Sequence, residues 1–148
     1  QLLNLYEKGD FYMISPFSFL NSLCYMKRII TSNKAPKAIG PYSQAVILNN
    51  VLYTSGQIGL DPQTGDLKDG IEEQVKQVME NLKALLKEAN MDFSNVVKTT
   101  IFLKSMDDFT TVNQIYASYF NENPPARSCV EVSALPKGAL VEIELIAH

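Results

Sequence analysis

The chain has 148 residues, 46% hydrophobic and 20% charged, with a net charge of −3 and a pI near 5.1. That length bounds one ordinary domain with a single core, and an acidic balance without basic runs argues against a protein built to neutralise phosphates. One histidine, His148, and two cysteines, Cys24 and Cys129, exclude a histidine-assisted nucleophile, a His-rich metal site and a disulfide framework, so the chain reads as cytoplasmic, with no metal and no cofactor.

Residues 1–25, QLLNLYEKGDFYMISPFSFLNSLCY, are aromatic-rich and irregular in period, and Gly9 and Pro16 interrupt them. The apolar part from Phe11 to Met26 is too short and too polar for a membrane span, which needs about 20 residues, and it lacks the basic start of a secretory signal. This stretch reads as an extension or non-native leader; an organelle-targeting remnant, mitochondrial for example, is the alternative. The regular pattern begins at Met26, so a single domain is expected over 26–148.

Short β-type runs at 28–32, 43–48 and 51–56 follow, with Asn49-Asn50 as a hairpin turn between the last two. Gly56 and Gly59 in SGQIG mark a bulge or a close backbone approach, and DPQTGDLKDG is a loop. Apolar residues at Ile71, Val75, Val78, Met79, Leu82, Leu85, Leu86 and Ala89 make a helical stripe, with Glu72 and Glu73 in its first turn. A β-branched strand spans 95–104. A second helix runs from a cap at Asp107 or Asp108 to Phe120 and stops before Pro124-Pro125. Strands at 127–134 and 140–147 close the chain. The order β-β-β-α-β-α-β-β predicts an α+β fold, one mixed sheet with both helices on a single face, and self-association as the cover for the other face.

Alternation places Arg127, Cys129 and Glu131 on one face of their strand and Ser128, Val130 and Val132 on the other. Arg127 stands out because the chain has only two arginines against eleven lysines. In the last strand Leu140, Glu142, Glu144 and Ile146 oppose Val141, Ile143 and Leu145, and a carboxylate in so apolar a strand needs a partner or an open cleft.

The stretches AIGPYSQAV, YTSGQIGLDPQTG, VVKTTIFLK, DFTTVNQIYASYF, PPARSCVEV and LPKGALVEIELIA, in that order, closely resemble the Rid imine deaminases, also called the YjgF family and formerly endoribonuclease L-PSP. The resemblance covers the chain from about Met26 onward. It implies a chorismate-mutase-like fold, a homotrimer with active sites between subunits, and hydrolysis of 2-imino acids such as 2-iminobutanoate and 2-iminopropanoate, released by pyridoxal-phosphate enzymes, to 2-oxo acids and ammonia. It further implies that Arg127 of the Pro-Ala-Arg motif holds the substrate carboxylate, with Cys129, Tyr42, Ser55, Gly56, Asn113 and Glu142 completing the site.

The residue types support these roles to different degrees. A guanidinium meets a carboxylate with two parallel hydrogen bonds, which lysine cannot do; the competing role for Arg127 is an ion pair with Glu131, Glu142 or Glu144. Glu142 suits the activation of a water, or it is a solvated edge carboxylate. Cys129 lines the pocket, or its thiol, lowered in pKa by Arg127, takes part. Tyr42 closes the pocket or donates its hydroxyl, or is an interface aromatic; Asn113 sits at a subunit interface or faces solvent. Two further functions stay open: an endoribonuclease acting on messenger RNA, for which no basic groove is visible, and a non-catalytic 2-oxo-acid-binding regulator. No membrane or nucleic-acid partner is expected.

Overall fold

A computed structural model describes residues 27–120 and 122–148. The expected leader at 1–25, the domain start at Met26, and Cys24 lie outside the described residues. β1 (Arg28–Ile30), β2 (Ala45–Leu48) and β3 (Val51–Thr54) form an antiparallel meander. Asn49 and Asn50 close its hairpin with φ of 52° and 64°, the double left-handed geometry of a two-residue turn that asparagine tolerates.

β4 (Gln57–Ile58) is a two-residue strand. It is too short to register as a period in the sequence, where SGQIG reads as a bulge or close backbone approach after the run at 51–56. α1 (Gly70–Glu88) follows, and Asn90 with φ 57° ends its C-terminal turn. β5 (Val96–Leu103) leads through a 3-10 turn at Met106–Asp108 into α2 (Phe109–Ala117). The expected cap at Asp107 or Asp108 is not the one used. Ser105 accepts from the Asp107 amide and caps the 3-10 turn, while Asp108 makes no side-chain cap bond. α2 also ends three residues before Phe120, because the chain tightens into i→i+3 bonds from Ser118 onward. β6 (Ala126–Glu131) and β7 (Val141–Ala147) complete the fold, with a 3-10 turn at Pro136–Gly138 between them.

The sheet order is β1-β2-β3-β7-β5-β6, with β4 also pairing to β7. Only β5 and β6 pair in parallel, so the sheet is mixed as the element order predicts. Val75, Val78, Met79, Leu82 and Leu86 of α1 and Val112 and Tyr116 of α2 share one core cluster with Ile101, Leu103, Val141, Ile143 and Leu145 of the sheet. Burying side chains of this size is worth about 1.5–3 kcal/mol each, so Leu82→Ala would cost about 2–5 kcal/mol. On the opposite face of the sheet the register sets Ile29, Val46, Tyr53 and Ile146 in one row across β1, β2, β3 and β7, and Phe102 beside Val130 in another. Ile29, Tyr53 and Val130 are exposed.

Candidate active site

The open face also carries Glu142. Its register partners are Ile58 on β4 and Phe102 on β5, and its side chain reaches the floor of a cavity of about 490 Å³. Gly56 lies directly over that side chain. A Cβ at position 56 would stand 2.7 Å from Cδ and 2.9 Å from Cγ of Glu142, so only glycine lets the carboxylate lie there. Burial, and then the neighbouring Glu144, push the Glu142 carboxyl above its ordinary pKa of 4.5. Its proton affinity therefore moves toward the range useful for acid–base work at neutral pH.

The rest of the cavity comes from segments that converge on this point. Tyr42 and Ser55 line it with Gly56, and Lys37 and Lys137 add positive charge at its edge. The Ser55 hydroxyl is already committed, donating to the Ser43 carbonyl at 2.6 Å, so toward a ligand it can only accept. The Tyr42 hydroxyl accepts from the Ile39 amide at 3.3 Å, and the ring is exposed rather than packed in the core. Lys137 adopts φ 56° and ψ 18° inside the 3-10 turn, a conformation uncommon for a residue with a side chain.

Arg127 lies elsewhere. On the edge strand β6 it pairs with Thr99, and Cys129 pairs with Ile101; both partners point into the helix-side core. Arg127 and Cys129 therefore face the helices, whereas Glu142, two strands away, faces the open side. One chain does not bring the guanidinium and the carboxylate together. α2 fixes the guanidinium instead: Nη1 donates to Asn113 Oδ1 at 2.6 Å, and the group stacks 5.2 Å from the Tyr116 ring centre and 5.7 Å from that of Phe109. Among the described residues Arg127 enters no salt bridge, so the ion pair with Glu131, Glu142 or Glu144 is absent from this chain's own contacts. Glu131 accepts from the Met106 amide instead.

Burial pushes the Cys129 thiol above its ordinary pKa, an effect that Arg127 only partly offsets, so the lowering expected from the arginine alone does not prevail. Phe109 and Tyr116 are partners of the site that sequence reading passed over. The signal was present: Phe109, Asn113 and Tyr116 are spaced i, i+4, i+7 and share a helix face. Tyr116 is itself held by a 2.8 Å hydrogen bond between its hydroxyl and that of Thr99.

The candidate site residues thus fall into two groups, Tyr42, Ser55, Gly56 and Glu142 around the cavity and Asn113, Arg127 and Cys129 at the β6 edge. Comparison with known proteins identifies the scaffold that carries them. The family model described as endoribonuclease L-PSP matches residues 32–148. The chain is 52% identical over 123 residues to human 2-iminobutanoate/2-iminopropanoate deaminase, covering 82% of this chain and 90% of that protein. It superimposes with a TM-score of 0.81 on a Rid-family protein of Yersinia pestis, at 54% identity and covering 82% and 98% of the two chains. Against E. coli TdcF with bound serine the TM-score is 0.79 at 41% identity, covering 81% and 97%. With the motif order, the sheet topology and these matches in agreement, the chain belongs to the endoribonuclease L-PSP family, the Rid (YjgF/RidA) proteins.

Proposed function

We propose that this protein is a 2-imino acid deaminase that hydrolyses 2-iminobutanoate, 2-iminopropanoate and similar imines to 2-oxo acids and ammonia. One observation carries the reading: a half-buried carboxylate of raised proton affinity, Glu142, on the floor of a cavity that a glycine keeps open. The human relative at 52% identity bears the name of this activity.

Water attacks the imine carbon. As the new C–O bond forms, the C=N electron pair moves to nitrogen, which takes up a proton from solvent, while the Glu142 carboxylate accepts one from the water. The protonated Glu142 then returns its proton to the amine of the carbinolamine. The C–N bond breaks, ammonia leaves, and the hydroxyl returns its proton to solvent as the carbonyl forms. Imine and water in, oxo acid and ammonia out, with Glu142 regenerated; such proton shuttling is worth about 10²–10⁴-fold. No covalent intermediate is required, in keeping with a Cys129 thiol whose burial disfavours the thiolate.

Arg127 holds the substrate carboxylate through the guanidinium edge that Asn113 leaves free. Because Arg127 and Glu142 face opposite sides of the sheet, the complete site forms between copies, Glu142 from one and Arg127 from the next. A homotrimer provides this arrangement, and the apolar open face is the surface it would cover.

The test is ammonia release from a freshly generated 2-imino acid, measured above spontaneous hydrolysis for the native protein and for Glu142→Gln. Acceleration by the first and its loss in the second is the expected result. No acceleration by the native protein would reject the reading.

A further inference from the structure

One outer wall of the cavity, with Pro36, Ile39 and Tyr42, belongs to the strap 33–42 that joins β1 to β2. Ala35 is buried at the root of the strap, but beyond it the strap is lightly held: Ile39 is 71% and Tyr42 51% exposed, and the bonds Tyr42 N to Gly40 O and Ile39 N to Tyr42 Oη stay inside it. Its anchor is Gln44, the residue before β2, which is 4% exposed. Gln44 Nε2 donates to the carbonyls of Ser32 at 3.1 Å, Ala35 at 3.2 Å and Pro36 at 2.7 Å, while its Oε1 accepts from the Ser32 amide at 2.8 Å. Among the described residues, the strap's only other hydrogen bonds to the rest of the chain run to Ser32, from the amides of Lys34 and Ala35. Gln44 is in turn fixed through its own carbonyl, which accepts from the Ser55 amide at 2.9 Å, next to Gly56 and hence to Glu142.

We propose that Gln44 is a positioning residue that sets which substrate side chains the cavity admits, by pinning the strap against the floor that carries Ser55, Gly56 and Glu142. The inference rests on the cavity being the site of 2-imino acid hydrolysis. A side chain of matching size without an amide would leave the Ser32 amide and the Ala35 carbonyl buried without partners, and the part-buried Pro36 carbonyl without one. Burial of such groups is unfavourable unless they are hydrogen-bonded, so the strap would move outward to reach water. The floor, held by β4, α1 and β7, would stay. Pro36, Ile39 and Tyr42 would then withdraw from the cavity that Ile58, Leu60 and Pro136 also line, and a long apolar substrate side chain would lose packing surface. A short one would lose little.

The experiment compares kcat/KM for 2-iminopropanoate and for 2-imino-4-methylpentanoate in the native protein and in Gln44→Met. The ratio of the two is independent of how much of the variant is correctly folded, so a merely structural role would not move it. The preference for the longer imine should fall about tenfold, the scale on which hydrophobic pockets discriminate side chains. Amide hydrogen exchange should accelerate at Ser32, Lys34 and Ala35, the bonded amides at the root of the strap, while α1 and β7 stay protected. If Gln44→Met does not fold, Gln44→Glu keeps the shape and the acceptor but loses the amide donors, and the same ratio is read there. An unchanged ratio in a folded variant, or a strap that stays protected, would overturn the proposal. Failure of the native protein to turn over either imine would instead overturn the proposed function, and hydrogen exchange would still decide whether Gln44 pins the strap.

Discussion

Replacing Arg127 with lysine keeps the positive charge and removes the plane. In the native protein one of the five guanidinium donors is occupied by Asn113, at 2.6 Å from Nη1, and the remaining edge can meet a carboxylate with two parallel bonds. A lysine ammonium spends one of three donors on Asn113 and meets the substrate as a point charge, losing one tooth of the fork. A hydrogen bond to a charged group is worth about 1.5–3 kcal/mol, which at 1.36 kcal/mol per decade is roughly a 10–150-fold loss in kcat/KM. The lost stacking on Tyr116 and Phe109 should cost about 0.5–1 kcal/mol of stability at an exposed site, and so about 2–4 °C in Tm. Both quantities are read on one preparation, by steady-state kinetics with a 2-imino acid and by thermal melting. Native kcat/KM in Arg127→Lys would refute the clamp. A large fall in Tm, with activity lost only in proportion to folded protein, would make Arg127 a structural residue.

Glu142→Gln should lower turnover by about 10²–10⁴-fold while a 2-oxo acid still binds by calorimetry; unchanged turnover would move water activation to another group. The raised proton affinity of Glu142 also fixes a sign. A carboxyl whose pKa is higher in the fold favours the fold fully below 4.5 and loses that contribution as pH rises through its folded value. Glu142→Gln should therefore be more stable than the native protein at neutral pH, with the gap closing on acidification, and should lose the acid limb of the native activity profile. A gap that widened on acidification would contradict this. Gly56→Ala sets a methyl against the mobile end of Glu142 rather than against backbone, so kcat should fall by about 10²-fold or more with Tm nearly unchanged; full activity would place the reacting carboxylate elsewhere. Cys129→Ala should keep kcat/KM within roughly tenfold of native, since losing a true nucleophile costs on the order of 10⁶.

Much of this architecture is legible in the residues. The α1 stripe, the Asn49-Asn50 turn and the outward parity of Glu142 follow from periodicity, because an unbroken apolar set, Val141, Ile143 and Leu145, leaves no doubt which side of β7 meets the helices. β6 is harder. Its two faces, Ser128-Val130 and Arg127-Cys129, are both mixed, and the edge position buries neither well, so the pairing with Thr99 and Ile101 is needed to place Arg127 on the helix side. That single parity separates the two groups of candidate residues, and it rests on tertiary register rather than local pattern. The buried amides were also hidden, since Gln44 reads as a polar loop residue. Gln74 and Asn81 were closer to visible, lying at heptad spacing within the α1 stripe. Gln74 accepts from the Leu140 amide at 2.8 Å, and Asn81 donates to the carbonyls of Ile58 and Leu60 at 3.2 and 3.0 Å. They fix from the helix side the segments that carry the cavity floor.

The central claim is a 2-imino acid hydrolase whose clamp and base come from different copies of the chain. Its most direct measurement is complementation: Arg127→Ala and Glu142→Gln, each nearly inactive alone, are co-refolded in equal amounts, mixed oligomers are verified by native mass spectrometry, and ammonia release from a 2-imino acid is recorded. Random mixing across a heterologous interface gives an intact Arg127 facing an intact Glu142 in about one site in four, so about a quarter of native activity should return. Mixed oligomers that stay as inactive as the separate variants would contradict the account.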